Sequence, residues 1–205
     1  DVMLQQPRSS EDYEELLYSI NEQCHHLGQL VNQVLDLAAS DAGVVEGAKT
    51  AVRLDDIARQ ACEMFEAVAE EQGLTLDLHA DLPVVALGDP QQMRQLLTNL
   101  VDNAIKFTPR GGGIRVDVQS APPQHVRLTV TDTGIGMSAV DLPRIFDRFY
   151  RADKSRHRGA ATRGSGLGLA ICQSIVHGLH GTIEARSDIG KGTTFEVILP
   201  AAEET

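Results

Sequence analysis

Two runs of alternating apolar residues constrain this chain more than any other feature. Ile114, Val116 and Val118 are spaced by two, as are Val126, Leu128 and Val130, and Pro122-Pro123 lies between the runs. A period of two gathers each set on one face of a strand. The turn between them makes the pair an antiparallel hairpin with one apolar face, and that face has to be covered. The flanking segments supply helices. Leu54-Asp55 opens one that closes at Gly73, and Asp89-Pro90 caps a second, with Pro at its first position. The second carries Met93, Leu96, Leu97, Leu100, Val101 and Ile105 and stops before Pro109. A third is expected over 169–179. Leu74, Leu76 and Leu78 alternate as a strand; further strands are expected over 84–87, 182–186 and 194–199. Antiparallel strands with helices on one face make an α/β sandwich.

The N-terminal segment reads differently. Ser9 and Ser10 precede an acidic turn of Glu11, Asp12, Glu14 and Glu15, a capped helix start. Leu17, Ile20, Cys24, Leu27, Val31, Val34 and Ala38 then recur in steps of three and four, a heptad seam widened by Leu16, Leu30 and Leu35. The expectation is a bundle-forming helix that dimerises as part of a helical hairpin, then a linker of small residues from Gly43. The division expected is 1–48 for this helical remnant, 49–200 for the second domain and 201–205 for a tail. The chain opens on Asp1, and we read it as a piece of a longer protein.

Charge and composition exclude several classes. Asp and Glu number 29 against 18 Lys and Arg, a net charge of −11, which repels nucleic acid. There is no Trp to build a base-stacking groove. No apolar run is long enough to span a membrane, and no secretory leader is visible. The three cysteines, Cys24, Cys62 and Cys172, are far apart, which suits small apolar residues in a reducing cytosol rather than a disulfide framework or zinc site.

Four segments of the second domain carry chemistry. Asn99 and Asn103 are four apart and share a helix face, with Lys106 beside it. Amide oxygens are hard ligands for Mg²⁺ and Lys is a point charge for phosphate; a pair of surface amides is the plainer alternative. Asp132, Gly134, Gly136 and Met137 follow a strand directly, where a carboxylate can accept from an exocyclic amine and glycines admit close approach. Gly164, Gly166, Gly168 and Leu169 open a helix, whose N-terminal amides attract anions. That run follows a polar loop rather than a strand, so a Rossmann dinucleotide site does not fit. Gly190, Gly192, Thr193, Thr194 and Phe195 form a turn into the last strand.

In order and spacing these segments resemble the N, G1, G2 and G3 boxes of the histidine kinase ATP-binding domain. The run Ile145, Phe146, Phe149, Tyr150 and Arg151 resembles its F box. The heptad helix is similar to the second helix of the family's dimerisation and phosphotransfer domain, so the resemblance covers nearly the whole chain. It implies a Bergerat-type α/β fold, a mixed and mostly antiparallel sheet on three helices, binding Mg²⁺–ATP beneath a lid at about 136–166. It implies that Asp132 bonds the adenine amine, partly through a water shared with Thr194, and that Asn103, with Asn99 alongside, holds Mg²⁺. Lys106 and Arg151 would contact phosphates, Gly134 and Gly136 would give adenine and ribose room, and Gly166, Leu167 and Gly168 would offer amides to the phosphates. Phe107, Met137, Phe149, Tyr150, Gly164, Leu169 and Thr193 complete the implied nucleotide site. The implied activity is ATP-dependent protein-histidine kinase, the catalytic core of a two-component sensor. Its partners would be a phosphoacceptor histidine, a response regulator and a second copy of the parent, on the cytoplasmic side of a membrane.

The lid carries Arg144, Arg148, Arg151, Lys154, Arg156, Arg158 and Arg163, a basic island in an acidic chain. At the position of Asn99, ATP-hydrolysing relatives of the gyrase and Hsp90 type carry a Glu base. An amide cannot take a proton from water, so weak hydrolysis is expected. The family's phosphoacceptor box, a His followed by an acidic residue and then Thr or Asn before Pro, is absent. His25 and His26 lack that context and are expected to face solvent or the bundle. His177 and His180 have spacing compatible with a metal pair but no third ligand, and better suit a helix C-terminus before Gly181. A hydrolysing clamp and a non-catalytic nucleotide-sensing dimerisation module are the competing readings.

Overall fold

A computed structural model describes residues 50–80, 83–152 and 165–202, together with isolated positions 13, 16, 17, 20 and 28. Apart from those isolated positions, which are helical, the expected bundle helix and its linker up to residue 49, His25 and His26, Gly164 and the part of the expected lid over 153–164 lie outside the described residues.

Over the described residues from 50 on, the elements follow in the order β1 (Thr50–Arg53), α1 (Leu54–Gln72), β2 (Thr75–Ala80), β3 (Val85–Gly88), α2 (Pro90–Phe107), β4 (Gly113–Ala121), β5 (His125–Asp132), α3 (Gly168–Gly178), β6 (Thr182–Asp188) and β7 (Gly192–Pro200). The main sheet has the order β2-β4-β5-β7-β6. Its inner face is made by alternation: Ile114, Val116 and Val118 of β4, Val126, Leu128 and Val130 of β5, and Phe195, Val197 and Leu199 of β7 are all buried. The three helices cover that face. The other face carries charged residues such as Arg127 and Glu196, which pair at 3.5 Å. The fold class is thus the mixed sheet layered on three helices that the sequence implied.

α2 is the central helix. Asp89 caps it by accepting from the Gln91 and Gln92 N–H groups at 2.7 and 3.0 Å, the bonding that orphan amides at a helix start require. Met93, Leu96, Leu97, Leu100, Val101, Ala104 and Ile105 bury one stripe, each large side chain contributing roughly 1.5–3 kcal/mol. Asn99 and Asn103 fall at the stripe's edge, half-buried, while Lys106 lies further out. α1 ends as expected at Gly73, whose φ of 67° is left-handed.

The structure departs from the sequence reading in places. β1 begins at the end of the expected linker and runs through residues for which no element was expected. It pairs with β3 in a separate two-stranded sheet, Thr50 opposite Gly88. At four residues it is too short to show a period. β2 runs parallel to β4, a pairing the sequence did not specify beyond a mixed sheet. A parallel pair needs a crossover, and β3 with α2 provides it.

Candidate functional site: a buried carboxylate and a pair of amides at a helix start

Asp132 ends β5 on the inner face and is 6% exposed. Its Oδ1 accepts from the Gly134 N–H at 2.8 Å and the Thr193 N–H at 3.1 Å. Both bonds fall on one oxygen, which leaves Oδ2 for a ligand. Burial pushes the carboxyl above its ordinary range, and the two backbone donors pull it back in part; no cation contributes. A buried carboxylate without a cationic partner is costly, and the fold keeps one here.

The surrounding turns are built of backbone. A Cβ on Gly136, at φ +63°, would lie 1.9 Å from the Asp188 carbonyl, and one on Gly192, at φ +94°, would lie 1.9 Å from the Asp132 carbonyl. The Ile135 N–H bonds the Phe107 carbonyl at 3.1 Å, and the Gly190 N–H bonds the Ile135 carbonyl at 2.7 Å. The glycines read as room for a ligand are therefore already required by the chain's own packing; a Cβ on Gly134 would meet the Phe107 carbonyl at 2.4 Å. Ser187, which the sequence reading missed, is the rivet. Its Oγ accepts from the Met137 N–H at 2.8 Å and lies 2.9 Å from the Gly192 carbonyl and from the Thr193 hydroxyl.

Register separates the two threonines of the last strand. Asp132 lies opposite Thr193, and Thr131 opposite Thr194. Partners share a face and neighbours in sequence do not, so Thr193 stands with the carboxylate. The Thr194 hydroxyl meets that of Thr131 at 3.2 Å on the other face. The signal was present in the sequence: Thr193 shares the parity of Phe195, Val197 and Leu199. A groove of about 420 Å³ opens beside Asp132, lined by Leu142, Ala185, Ser187 and Thr193 among others, and reaches neither Asn99 nor Asn103.

The second cluster lies where α2 meets the start of α3. The Asn99 Nδ2 donates to the Gly168 carbonyl at 3.5 Å. The Asn99 Oδ1 and the Asn103 Nδ2 lie 3.8 and 3.9 Å from where a Gly168 Cβ would stand. Among the described residues no side chain caps α3, and the Leu167 N–H just before it donates to the Ser165 Oγ at 3.2 Å; the two amide side chains lie against this helix start. Amide oxygens suit a hard cation and helix amides suit an anion. Lys106 pairs with Asp102 one turn earlier.

The aromatic residues over 146–150 make contacts of their own. Tyr150 donates from its hydroxyl to Asp141 at 2.8 Å, and its ring lies under Arg144 at 4.3 Å. Phe149 is 65% exposed at a φ of +60°, its N–H bonded to the Gly166 carbonyl at 3.0 Å. Arg151 is exposed. Phe146 packs edge-on to Phe195, centroids 6.5 Å apart. His177 and His180 flank the end of α3, the His180 N–H bonded to the His177 carbonyl. Among the described residues no group of three or more His, Cys, Asp or Glu side chains is placed to hold a metal.

A family profile described as histidine kinase-, DNA gyrase B- and HSP90-like ATPase matches residues 88–203. The chain belongs to this ATPase family. Within it, the sensor histidine kinase CusS of Escherichia coli is 40% identical over 98% of this chain and 41% of its own length. The sensor protein SrrB of Staphylococcus aureus is 34% identical over 94% of this chain and 33% of its own. The chain thus spans well under half the length of these curated relatives. Full-length ShkA in complex with AMPPNP superposes with a TM-score of 0.82 at 28% identity, covering 98% of this chain and 41% of that one. Sequence and fold place this ATPase-family chain beside the ATP-binding catalytic cores of sensor histidine kinases. Among its described residues no helix is long and apolar enough to cross a membrane.

Proposed function

We propose that this chain binds Mg²⁺–ATP and transfers the γ-phosphoryl to a histidine of a separate helical hairpin, as the catalytic core of a two-component sensor kinase. The observation that carries the reading is Asp132: a buried carboxylate with no cation, one oxygen fixed by backbone and the other open. Oδ2 accepts from the adenine amine, and Thr193, on the same face, shares the bridging water. This replaces the role first read for Thr194. Phe107, Met137, Gly134 and Gly136 shape the base end.

The donor set at the other end fits a magnesium nucleotide. Asn103 and Asn99 would hold Mg²⁺, which supplies charge neutralisation to the phosphates. The amides of Gly166, Leu167, Gly168 and Leu169 receive phosphate oxygens, with Gly164 upstream. Lys106 exchanges Asp102 for a phosphate at small cost, since an exposed pair one helical turn apart is worth about 0.3–0.5 kcal/mol. Arg151, beside Phe149 and Tyr150, is the other phosphate cation. In the transfer the bond from Pγ to the bridging oxygen breaks, a Pγ–N bond forms to the acceptor imidazole, ADP leaves, and the imidazole proton passes to the acceptor's own base. The protein's part is positioning and charge stabilisation.

Asn99 also favours transfer over hydrolysis, because it cannot deprotonate water. The domain division at about residue 48, pairing with a second copy, a response regulator as the next acceptor, and a place on the cytoplasmic side of a membrane belong to the same proposal. ThkA, solved in complex with the response regulator TrrA, shares the fold with a TM-score of 0.72. The deciding experiment supplies [γ-³²P]ATP and Mg²⁺ to the chain, alone and with a hairpin bearing a histidine phosphoacceptor box. Acid-labile, base-stable label on the hairpin only is the expected result. Label on this chain would make one of its own histidines an acceptor, and hydrolysis without label would make it an ATPase clamp.

A further inference from the structure

Three groups meet the Ser187 hydroxyl: the Met137 N–H at 2.8 Å, the Gly192 carbonyl at 2.9 Å and the Thr193 hydroxyl at 2.9 Å. A serine hydroxyl has one proton to give and two lone pairs to accept with. The Met137 N–H can only donate, and the Gly192 carbonyl can only accept. Two oxygens this close need a proton between them. Ser187 therefore gives its proton to Gly192, and the proton between the two hydroxyls has to come from Thr193. One lone pair of Ser187 takes Met137 and the other takes Thr193. The direction of the Thr193 hydroxyl is thus set from β6, the neighbouring strand.

Thr193 lies opposite Asp132, and both line the groove of about 420 Å³ together with Ser187. With its proton turned to Ser187, Thr193 offers the groove lone pairs alone. The open Oδ2 of an ionised Asp132 also only accepts. The backbone donors nearby are already used. The Gly134 and Thr193 N–H groups go to Asp132 Oδ1, and the Ile135 N–H goes to the Phe107 carbonyl. Arg186 and Lys191, which also line the groove, are exposed and face carboxylates, Glu184 and Glu196 for one and Asp188 for the other.

We propose that Ser187 sets the base specificity of this groove: by claiming the Thr193 proton it leaves a wall that only accepts, which takes a base offering an amine and rejects one offering a carbonyl at the same place. The inference rests on the proposal that the groove beside Asp132 receives the base of a nucleotide. An amine has two N–H groups, one for Oδ2 and one for a water. A water shared by Oδ2 and Thr193 must give one proton to each, so it turns a lone pair to the amine. A carbonyl in that place would meet Oδ2 and a water with no proton left. Ser187 does not touch the base; it is a positioning residue that acts through Thr193.

The test measures ADP and IDP affinities by calorimetry with Mg²⁺, on the full chain as wild type and as Ser187→Ala. The two nucleotides carry an amine and a carbonyl at the same carbon of the base. Wild type is expected to favour ADP about a hundredfold. In Ser187→Ala the Thr193 proton can turn into the groove, and the shared water can then donate to a carbonyl. The preference is expected to narrow about tenfold, with IDP bound more tightly than by wild type. A merely structural loss weakens both nucleotides in proportion. An unchanged ratio, or one narrowed by weaker ADP alone, therefore overturns the inference. Should wild type not discriminate, the reading of Asp132 as the base acceptor fails and this inference with it. Should wild type discriminate and Ser187→Ala match it, the inference fails alone. NMR of the wild-type chain gives a reading that needs no variant. The Thr193 hydroxyl proton is expected as a slowly exchanging signal with an Overhauser contact to the Ser187 β-protons, and a proton in fast exchange with water would overturn the assignment.

Discussion

Asp55 and Asp132 are both taken out of water, at 0% and 6% exposure, yet their surroundings move them in opposite directions. Asp55 opens α1 and pairs with the Arg53 guanidinium while accepting from the Val84 N–H at 3.3 Å. The hydrogen bond from Arg53 outweighs burial and holds its carboxyl below the usual range. Asp132 has two backbone donors and no cation, and burial holds it above. One carboxylate is consumed by the fold, tying β1 and α1 to the entry of β3. The other is left with an oxygen and a net cost that a ligand can relieve. Burial alone therefore does not mark a functional acid; an unmet electrostatic demand does.

The harshest way to break this comparison is to disturb the backbone cradle. Gly192→Ala sets a Cβ 1.9 Å from the Asp132 carbonyl at a φ of +94°, and is expected to cost about 3 kcal/mol or more of unfolding free energy, read by chemical denaturation. Next, Asp132→Asn keeps an oxygen for Gly134 and Thr193 but meets the adenine amine with a donor. Nucleotide affinity is expected to fall by about 1–3 kcal/mol in calorimetry, with unfolding free energy unchanged or raised. Loss of stability without loss of affinity would show Asp132 to be structural. Asp55→Asn is expected to do the reverse, costing about 1–2 kcal/mol of stability with nucleotide affinity intact.

The smallest effect is the sharpest in sign. Asp55, with its lowered folded pKa, contributes stability that is present above the ordinary carboxylate range and lost as pH falls through the folded value. Asp132, with its raised folded pKa, costs stability as pH climbs from the ordinary carboxylate range through the folded value. Its carboxylate becomes the better acceptor over the same interval. Nucleotide affinity should therefore weaken on acidification, with a midpoint above that of an ordinary Asp. Unfolding and binding titrations across pH 3–7 separate the two, and a binding midpoint at or below the ordinary carboxylate value contradicts the assignment.

What could be read beforehand follows from which forces act locally. The buried stripe of α2 and the alternating runs of β4 and β5 are written in periodicity, and the structure has them where the pattern put them. The family resemblance drew attention to Asp132, Asn99 and Asn103 at once. The partnership of Thr193 with Asp132 was legible from parity but was masked by treating Thr193 and Thr194 as one turn. The parallel pairing of β2 with β4 and the Ser187 rivet were not legible. Each joins residues far apart in the chain, and the choice between them is made by packing rather than by any short-range preference.

The bond from the Phe149 N–H to the Gly166 carbonyl, 3.0 Å long, has a consequence for evolution. It draws positions 149 and 166 together before the chain enters α3, so the sheet and helices meet the same two anchor points whatever lies between them. The entropy of closing a chain segment grows only with the logarithm of its length, each doubling costing about 0.6 kcal/mol. Residues can be inserted or removed between those anchors with little change in the free energy of folding. The register of β5 on β7, which holds Asp132 beside Thr193, is untouched by such changes. The length of that segment is thus free to vary on a scaffold that does not register the difference.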